Sequence, residues 1–181
     1  MLFVISAPSG TGKTTLIKKL LQECPRIRLS VSYTTRPPRR GEKEGVDYFF
    51  ITPAEFERMR EKAEFIESAE VHGEFYGTRQ SQILRNEAEG YDTLLDIDTQ
   101  GARNLKQKEP KALLIFLMPP TLGDLEKRLK ERATEPEEIL RKRLSRAQCE
   151  IAEKDRYDYV IINDTIEKAL TRLKEVIRKK G

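Results

Sequence analysis

At 181 residues the chain suits one domain, or one core carrying inserted subdomains, and its 35% charged and 38% hydrophobic composition excludes a disordered polypeptide. The 34 basic and 30 acidic residues leave a net charge of +4, too mild to point to nucleic acid as a partner. Cys24 and Cys149 lack metal-ligand spacing and His72 is the only histidine, which excludes a His-rich metal site. No apolar run approaches membrane-spanning length, and Leu2 already opens the first apolar run without room for a signal peptide, so no membrane partner, no disulfide and a cytoplasmic location are expected.

Leu2 to Ile5 predicts a buried strand, followed by a small-residue loop and an amphipathic helix bearing Leu16, Ile17, Leu20 and Leu21. Ala7-Pro8-Ser9-Gly10-Thr11-Gly12-Lys13-Thr14-Thr15 fits the spacing G-x-x-x-x-G-K-[ST], with Ala7 at the first glycine position. Gly10 and Gly12 can adopt backbone angles that turn successive N–H groups toward an anion, and the helix adds the positive end of its dipole. Lys13 would reach the β- and γ-phosphates, and the Thr14 hydroxyl would meet Mg²⁺. The pattern predicts binding of a nucleoside triphosphate.

Arg28 to Val31 predicts a second short strand, after which Ser32 to Glu42 is polar, basic and stiffened by Pro37 and Pro38, excluding regular helix. Tyr48 to Ile51 reads as a strand, and Thr52-Pro53 caps and opens a helix to about Lys62. Strands are expected over Phe65 to Val71 and Glu74 to Tyr76, around a turn at His72-Gly73, then a helix from about Arg79 to Glu89 stopped by Gly90. Thr93 to Ile97 is a buried strand leading into a helix to about Lys108, and Ala112 to Met118 is the most apolar strand, stopped by Pro119-Pro120. Thr121 caps a helix with Leu122, Leu125 and Leu129, and helix continues through Glu131 to Arg146. Tyr159 to Ile162 is the last strand, before a terminal helix marked by Ile166, Leu170, Leu173 and Ile177. The alternation predicts an α/β fold, a parallel sheet covered on both faces, interrupted by an insertion of short mixed strands from about Ser32 to Gly90.

Three groups of residues are suited to chemistry. Asp96 and Asp98 stand at i, i+2 at a strand end, where Mg²⁺ with ordered water or a donor on a bound base would meet them; two carboxylates capping the next helix is the alternative. Arg36 and Arg39, with Arg40 beside them, occupy a proline-stiffened loop suited to bidentate phosphate contact, or form a solvated basic loop. Arg128 and Arg132 share a helix face, with Arg143 beyond, as partners of a transferring phosphoryl group or as an exposed ion-paired helix; spacing alone does not decide.

The phosphate loop, Ser32-Tyr33-Thr34-Thr35-Arg36 with Arg39 and Gly41-Glu42, Phe65-Ile66-Glu67, Tyr76-Gly77-Thr78, Leu95-Asp96-Ile97-Asp98-Thr99-Gln100-Gly101, Arg128-Leu129, Arg132, Arg143-Leu144 and Ile162-Asn163-Asp164 resemble guanylate kinase in order and spacing over nearly the whole chain. The resemblance implies a P-loop NTPase-type core (1–31, 91–123, 145–181), a GMP-binding insertion (32–90) and a helical lid (124–144). It implies an ATP:GMP phosphotransferase with Mg²⁺, using dGMP as well, in purine metabolism and GMP recycling, acting as a monomer or homodimer.

By the same resemblance Ser32, Glu67, Thr78 and Asp98 surround guanine, with Asp96 and Gly101 in the GMP site; Arg36, Arg39, Tyr48 and Tyr76 hold the monophosphate; residues 7–15 and Asn163 bind ATP. Lys13, Arg36, Arg39, Arg128, Arg132 and Arg143 are the implied catalytic groups, and Thr14 and Asp96 the implied Mg²⁺ contacts, largely through water and phosphates. Guanine offers N1–H and its 2-amino group as adjacent donors, which one carboxylate such as Glu67 accepts together, whereas adenine has an acceptor at N1. Another nucleoside monophosphate kinase is the near rival. A phosphopeptide-binding module of similar fold is the distant one, disfavoured by the intact Lys13 and Thr14. Three departures stand out: Ala7 for glycine, Ala133 for a lid-hinge glycine, and Glu74-Phe75 where Asn-Tyr is frequent.

Overall fold

A computed structural model describes residues 1–71, 73–132 and 137–180, with only the backbone of Arg132. The larger sheet has strands in the order β2-β7-β1-β8-β9: β1 Leu2–Ser6, β2 Ile27–Leu29, β7 Asp92–Asp96, β8 Leu113–Met118 and β9 Tyr159–Ile162. The pairs β2–β7 and β8–β9 run parallel. Phe3, Val4 and Ile5 of β1 and Leu113 to Leu117 of β8 are all buried, the continuous apolar texture of strands covered on both faces. A second, four-stranded sheet has the order β4-β3-β6-β5, from β3 Tyr33–Thr34, β4 Phe49–Phe50, β5 Phe65–Val71 and β6 Glu74–Arg79. It is mixed, with β3–β4 parallel and β3–β6 and β5–β6 antiparallel. The expected combination of a parallel core sheet and a sheet of short mixed strands is therefore present.

Contacts divide the chain into two compact units, Met1–Val4 with Arg26–Ala112, and Ile5–Pro25 with Leu113–Gly181. In the first, α2 (Pro53–Glu61) begins with a full capping box: Thr52 accepts from the Glu55 N–H, and Glu55 accepts from the Thr52 N–H. It buries Phe56, which stacks on Phe65 and Phe75 with ring centroids 4.6 and 5.5 Å away. A Cβ at residue 77 would stand 2.9 Å from Phe65 and 3.1 Å from Phe56, so Gly77 is what lets β6 lie against these rings. The helices α3 (Gln80–Ala88) and α4 (Thr99–Lys108) complete this unit.

In the second unit, α1 (Lys13–Glu23) buries Leu16, Ile17 and Leu20 and packs on α7 (Ile166–Lys180), which buries Ala169, Leu170, Leu173 and Ile177. The helices α5 (Leu122–Arg132) and α6 (Glu137–Ala152) share a cluster of Leu125, Leu129 and Ala147 with Leu140 and Leu144. Ala133 and the expected continuation of helix through residues 133–136 lie outside the described residues, as does His72. Cys24 and Cys149 are both free. Among the described residues no helix is long and apolar enough to cross a membrane.

Candidate active site

The phosphate-loop motif is built from backbone. β1 ends at Ser6, and the loop turns through a Thr11 N–H to Pro8 carbonyl bond of 3.2 Å. Gly10 and Gly12 hold φ of 87° and 94°, conformations that side chains rarely adopt. A methyl on Gly10 would meet Leu129 at 2.8 Å, and one on Gly12 would meet the Asn163 amide at 2.8 Å, so both glycines are required sterically as well. Ala7 is different: among the described residues only Ala63 combines a side chain with positive φ, so Ala7 occupies ordinary backbone and carries its methyl without strain. Gly12 is the N-cap of α1, which puts Lys13, Thr14 and Thr15 in its first turn, at the positive end of the helix dipole.

Side chains distant in sequence brace this loop. Asn163 Nδ2 donates to the Thr11 carbonyl at 2.6 Å, and Arg128 donates to the same carbonyl at 3.3 Å and to the Asn163 carbonyl at 3.1 Å. Arg143 donates to Ser9 Oγ at 2.7 Å. The loop thus gathers Arg128, Arg143 and Asn163, while the side chain of Arg132 lies outside the described residues. Among the described residues the buried Thr11 Oγ1 and Asn163 Oδ1 have no hydrogen-bond partner, leaving polar atoms here for a ligand or water.

The region around Glu67 is built from side chains. β5 contains a bulge: Phe65 pairs with Arg79 but Glu67 pairs with Thr78, so Ile66 is the extra residue. Without the bulge Glu67 would fall opposite Gly77; with it, Glu67 faces Thr78 and accepts its hydroxyl at 2.6 Å. Glu67 is 3% exposed and Thr78 wholly buried. Burial pushes the Glu67 carboxyl up to about 7, with the Asp98 charge adding to the rise and the Thr78 bond opposing it. A Cβ on Gly101 would lie 2.7 Å from Glu67 Oε2, so the first turn of α4 leaves room for this carboxylate only as glycine. Asp98 caps that helix, accepting from the Gly101 N–H at 2.8 Å, which realises the capping alternative for one of the two strand-end carboxylates.

Beside this pocket Arg36 donates to Glu42 Oε1 at 2.9 Å and to the Pro37 carbonyl at 2.7 Å, and its guanidinium lies 5.5 Å from the Tyr48 ring centroid. Glu42 also accepts from the Arg39 N–H at 2.7 Å. Burial alone would raise the Glu42 carboxyl, but these two donors hold it below the usual range. Glu42 is therefore the brace of the arginine loop, a role that spacing does not reveal. The Arg39 side chain is exposed. Tyr48 and Tyr76 meet edge to face at 5.9 Å, and burial, with the Asp96 charge, pushes the Tyr48 phenol up to about 12, keeping it a donor at neutral pH. Glu74 accepts from Thr35 Oγ1 at 2.7 Å, and Thr35 Oγ1 in turn accepts from the Phe75 N–H at 2.9 Å, giving the Glu74-Phe75 departure a structural role beside Arg36. Ser32 is buried at the entry to β3.

The family model described as guanylate kinase matches residues 1–180. The guanylate kinase of Nitrosomonas europaea is 46% identical over 177 residues, covering 98% of this chain and 88% of its own, and that of Geobacter sulfurreducens is 46% identical over 177 residues, covering 98% and 87%. The crystal structure of guanylate kinase from Anaplasma phagocytophilum matches with a TM-score of 0.82 at 38% identity, over 99% of this chain and 85% of that one. Shikimate kinase from Bacteroides thetaiotaomicron, 17% identical with a TM-score of 0.55 over 98% of both chains, shares the fold alone. The chain belongs to the guanylate kinase family and is, with it, a phosphotransferase.

Proposed function

We propose that the chain transfers the γ-phosphoryl group of ATP to GMP, and also to dGMP, giving ADP and the nucleoside diphosphate. The observation that carries this reading is Glu67, a buried carboxylate bonded to Thr78 and lying against Gly101, a group suited to a ligand carrying two adjacent donors. Ser32 and Asp98 complete the guanine contacts in this reading, and Arg36, Arg39, Tyr48 and Tyr76 hold the monophosphate. Residues 7–15 and Asn163 hold ATP.

The acceptor is already an ionised phosphate oxygen, so no general base is needed; positioning and charge neutralisation suffice. Lys13 and the arginines at 36, 39, 128, 132 and 143 supply that neutralisation. Mg²⁺ is assigned to the Thr14 hydroxyl and the Asp96 carboxylate. Both are hard oxygen donors, and among the described residues no group of three His, Cys, Asp or Glu side chains forms a metal cage, which fits an ion that keeps its waters and borrows phosphate oxygens. When bound, it would neutralise developing charge on the β- and γ-phosphates.

In functional terms the core is 1–31, 91–123 and 145–181, the GMP-binding insertion 32–90 and the lid 124–144. Closure of insertion and lid over the nucleotides excludes water that would otherwise hydrolyse ATP. The enzyme acts in the cytoplasm in purine nucleotide metabolism, as a monomer or homodimer. Turnover of ATP against GMP, AMP, dTMP and CMP tests the reading. GMP should be preferred by orders of magnitude, and AMP or dTMP as best acceptor refutes it.

A further inference from the structure

One residue, Val31, lies between the two sheets and pairs with neither. The Ser30 N–H bonds the Leu94 carbonyl of β7 at 2.9 Å, and the Ser32 carbonyl accepts from the Phe49 N–H of β4 at 2.9 Å. Between them, both backbone groups of Val31 are taken by a side chain from α3: Gln82 Oε1 accepts from the Val31 N–H at 3.0 Å, and Gln82 Nε2 donates to the Val31 carbonyl at 3.0 Å. Ser30 Oγ donates to the same Oε1 at 3.1 Å, and the reversed amide would set its NH₂ against the Val31 N–H and its oxygen against the Val31 carbonyl, so one orientation is enforced. Four residues on, Asn86 donates to Thr93 Oγ1 at 3.1 Å, both groups buried, and so ties α3 to β7.

We propose that Gln82 is a positioning residue for the acceptor pocket: its amide stands in for a strand at Val31 and thereby fixes where the next residue, Ser32, presents its hydroxyl. The inference rests on the assignment of Ser32 to GMP. A primary amide reproduces the donor–acceptor pair of a peptide group, so the chain can leave one sheet and enter the other without a buried backbone group going unpaired. Ser32 is 8% exposed and follows the clamp directly, so a shift of the Val31 peptide is passed to it without slack.

The test is kinetics of Gln82→Met, Gln82→Glu, Ser32→Ala and the Gln82→Met/Ser32→Ala double variant, with thermal unfolding alongside. Methionine keeps the length and removes all three bonds. Glutamate keeps the acceptor and sets a carboxylate oxygen against the Val31 carbonyl. Expected are a rise of about tenfold in KM for GMP for the methionine variant, a smaller rise for the glutamate variant, and KM for ATP and kcat within about twofold of the parent. The double variant should be no worse for GMP than Ser32→Ala, because the effect passes through that hydroxyl. Lowered melting temperature with an unchanged KM for GMP, while Ser32→Ala raises it, overturns the clamp. An unchanged KM in Ser32→Ala instead overturns the GMP assignment beneath it.

Discussion

The phosphate-loop motif and the region around Glu67 are built by opposite means. In the phosphate-loop motif the main chain is shaped by Gly10 and Gly12 at positive φ, while Arg128 and Asn163 are spent on the Thr11 carbonyl. Around Glu67 side chains are held by other side chains: Thr78 on Glu67, and Glu42 on Arg36. A main-chain site tolerates few residue types at its turning points, because only glycine reaches those angles without strain. A side-chain site tolerates many sequences as long as partners from other strands arrive in register. The first kind therefore announces itself as a motif, and the second shows only in three dimensions.

Breaking one region should leave the other intact. Lys13→Ala should lower kcat by about 10³-fold while GMP binding, measured calorimetrically without ATP, stays within about twofold. A matching loss of GMP affinity would mean that the regions are not separable.

Glu67→Gln tests the cost of a buried base-reading group. Its folded pKa of about 7 lies above the unfolded value of 4.5, so the folded state binds the proton more tightly. Stability is then full below 4.5 and is lost as pH rises toward 7. The variant should gain up to about 3 kcal/mol in denaturant unfolding at pH 8, less than about 1 kcal/mol at pH 5, and should lose GMP affinity. Gly101→Ala sharpens the comparison. A methyl 2.7 Å from Glu67 Oε2 should raise KM for GMP about thirtyfold with KM for ATP unchanged, and the melting temperature should fall modestly, since displacing the buried carboxylate outweighs the gain in helix propensity. Smallest is the pH effect on the parent. Since guanine needs the carboxylate form, kcat/KM for GMP should fall about fourfold from pH 8 to 6.5, above the phosphate titration near pH 6. A flat profile would place the Glu67 proton elsewhere.

The core elements were legible where local chemistry settles them. The β1–loop–α1 unit follows from its apolar run and glycines, and α2 from the Thr52 capping box with Pro53. β3 was not, because Tyr33 and Thr34 become strand only by pairing with Phe49 and Phe50 on one side and Tyr76 and Gly77 on the other. Glu67 was named through resemblance, yet what aims it is the bulge at Ile66, and no periodicity in Phe65 to Val71 marks that extra residue. Likewise β6 runs on to Arg79, past the expected end at Tyr76, because pairing with Phe65 carries it there. The braces Glu42, Gln82 and Asn163 act through contacts that only the fold creates; Asn163 lies 152 residues from the carbonyl it holds.

The contact between Gly10 and α5 reaches beyond the loop. The loop at Gly10 rests on Leu125 and Leu129, which also form the cluster shared with Ala147, Leu140 and Leu144. Shortening either leucine would remove the support under Gly10, although neither belongs to the loop itself. For this region the inventory of sensitive sites extends one layer of side chains behind the phosphate loop.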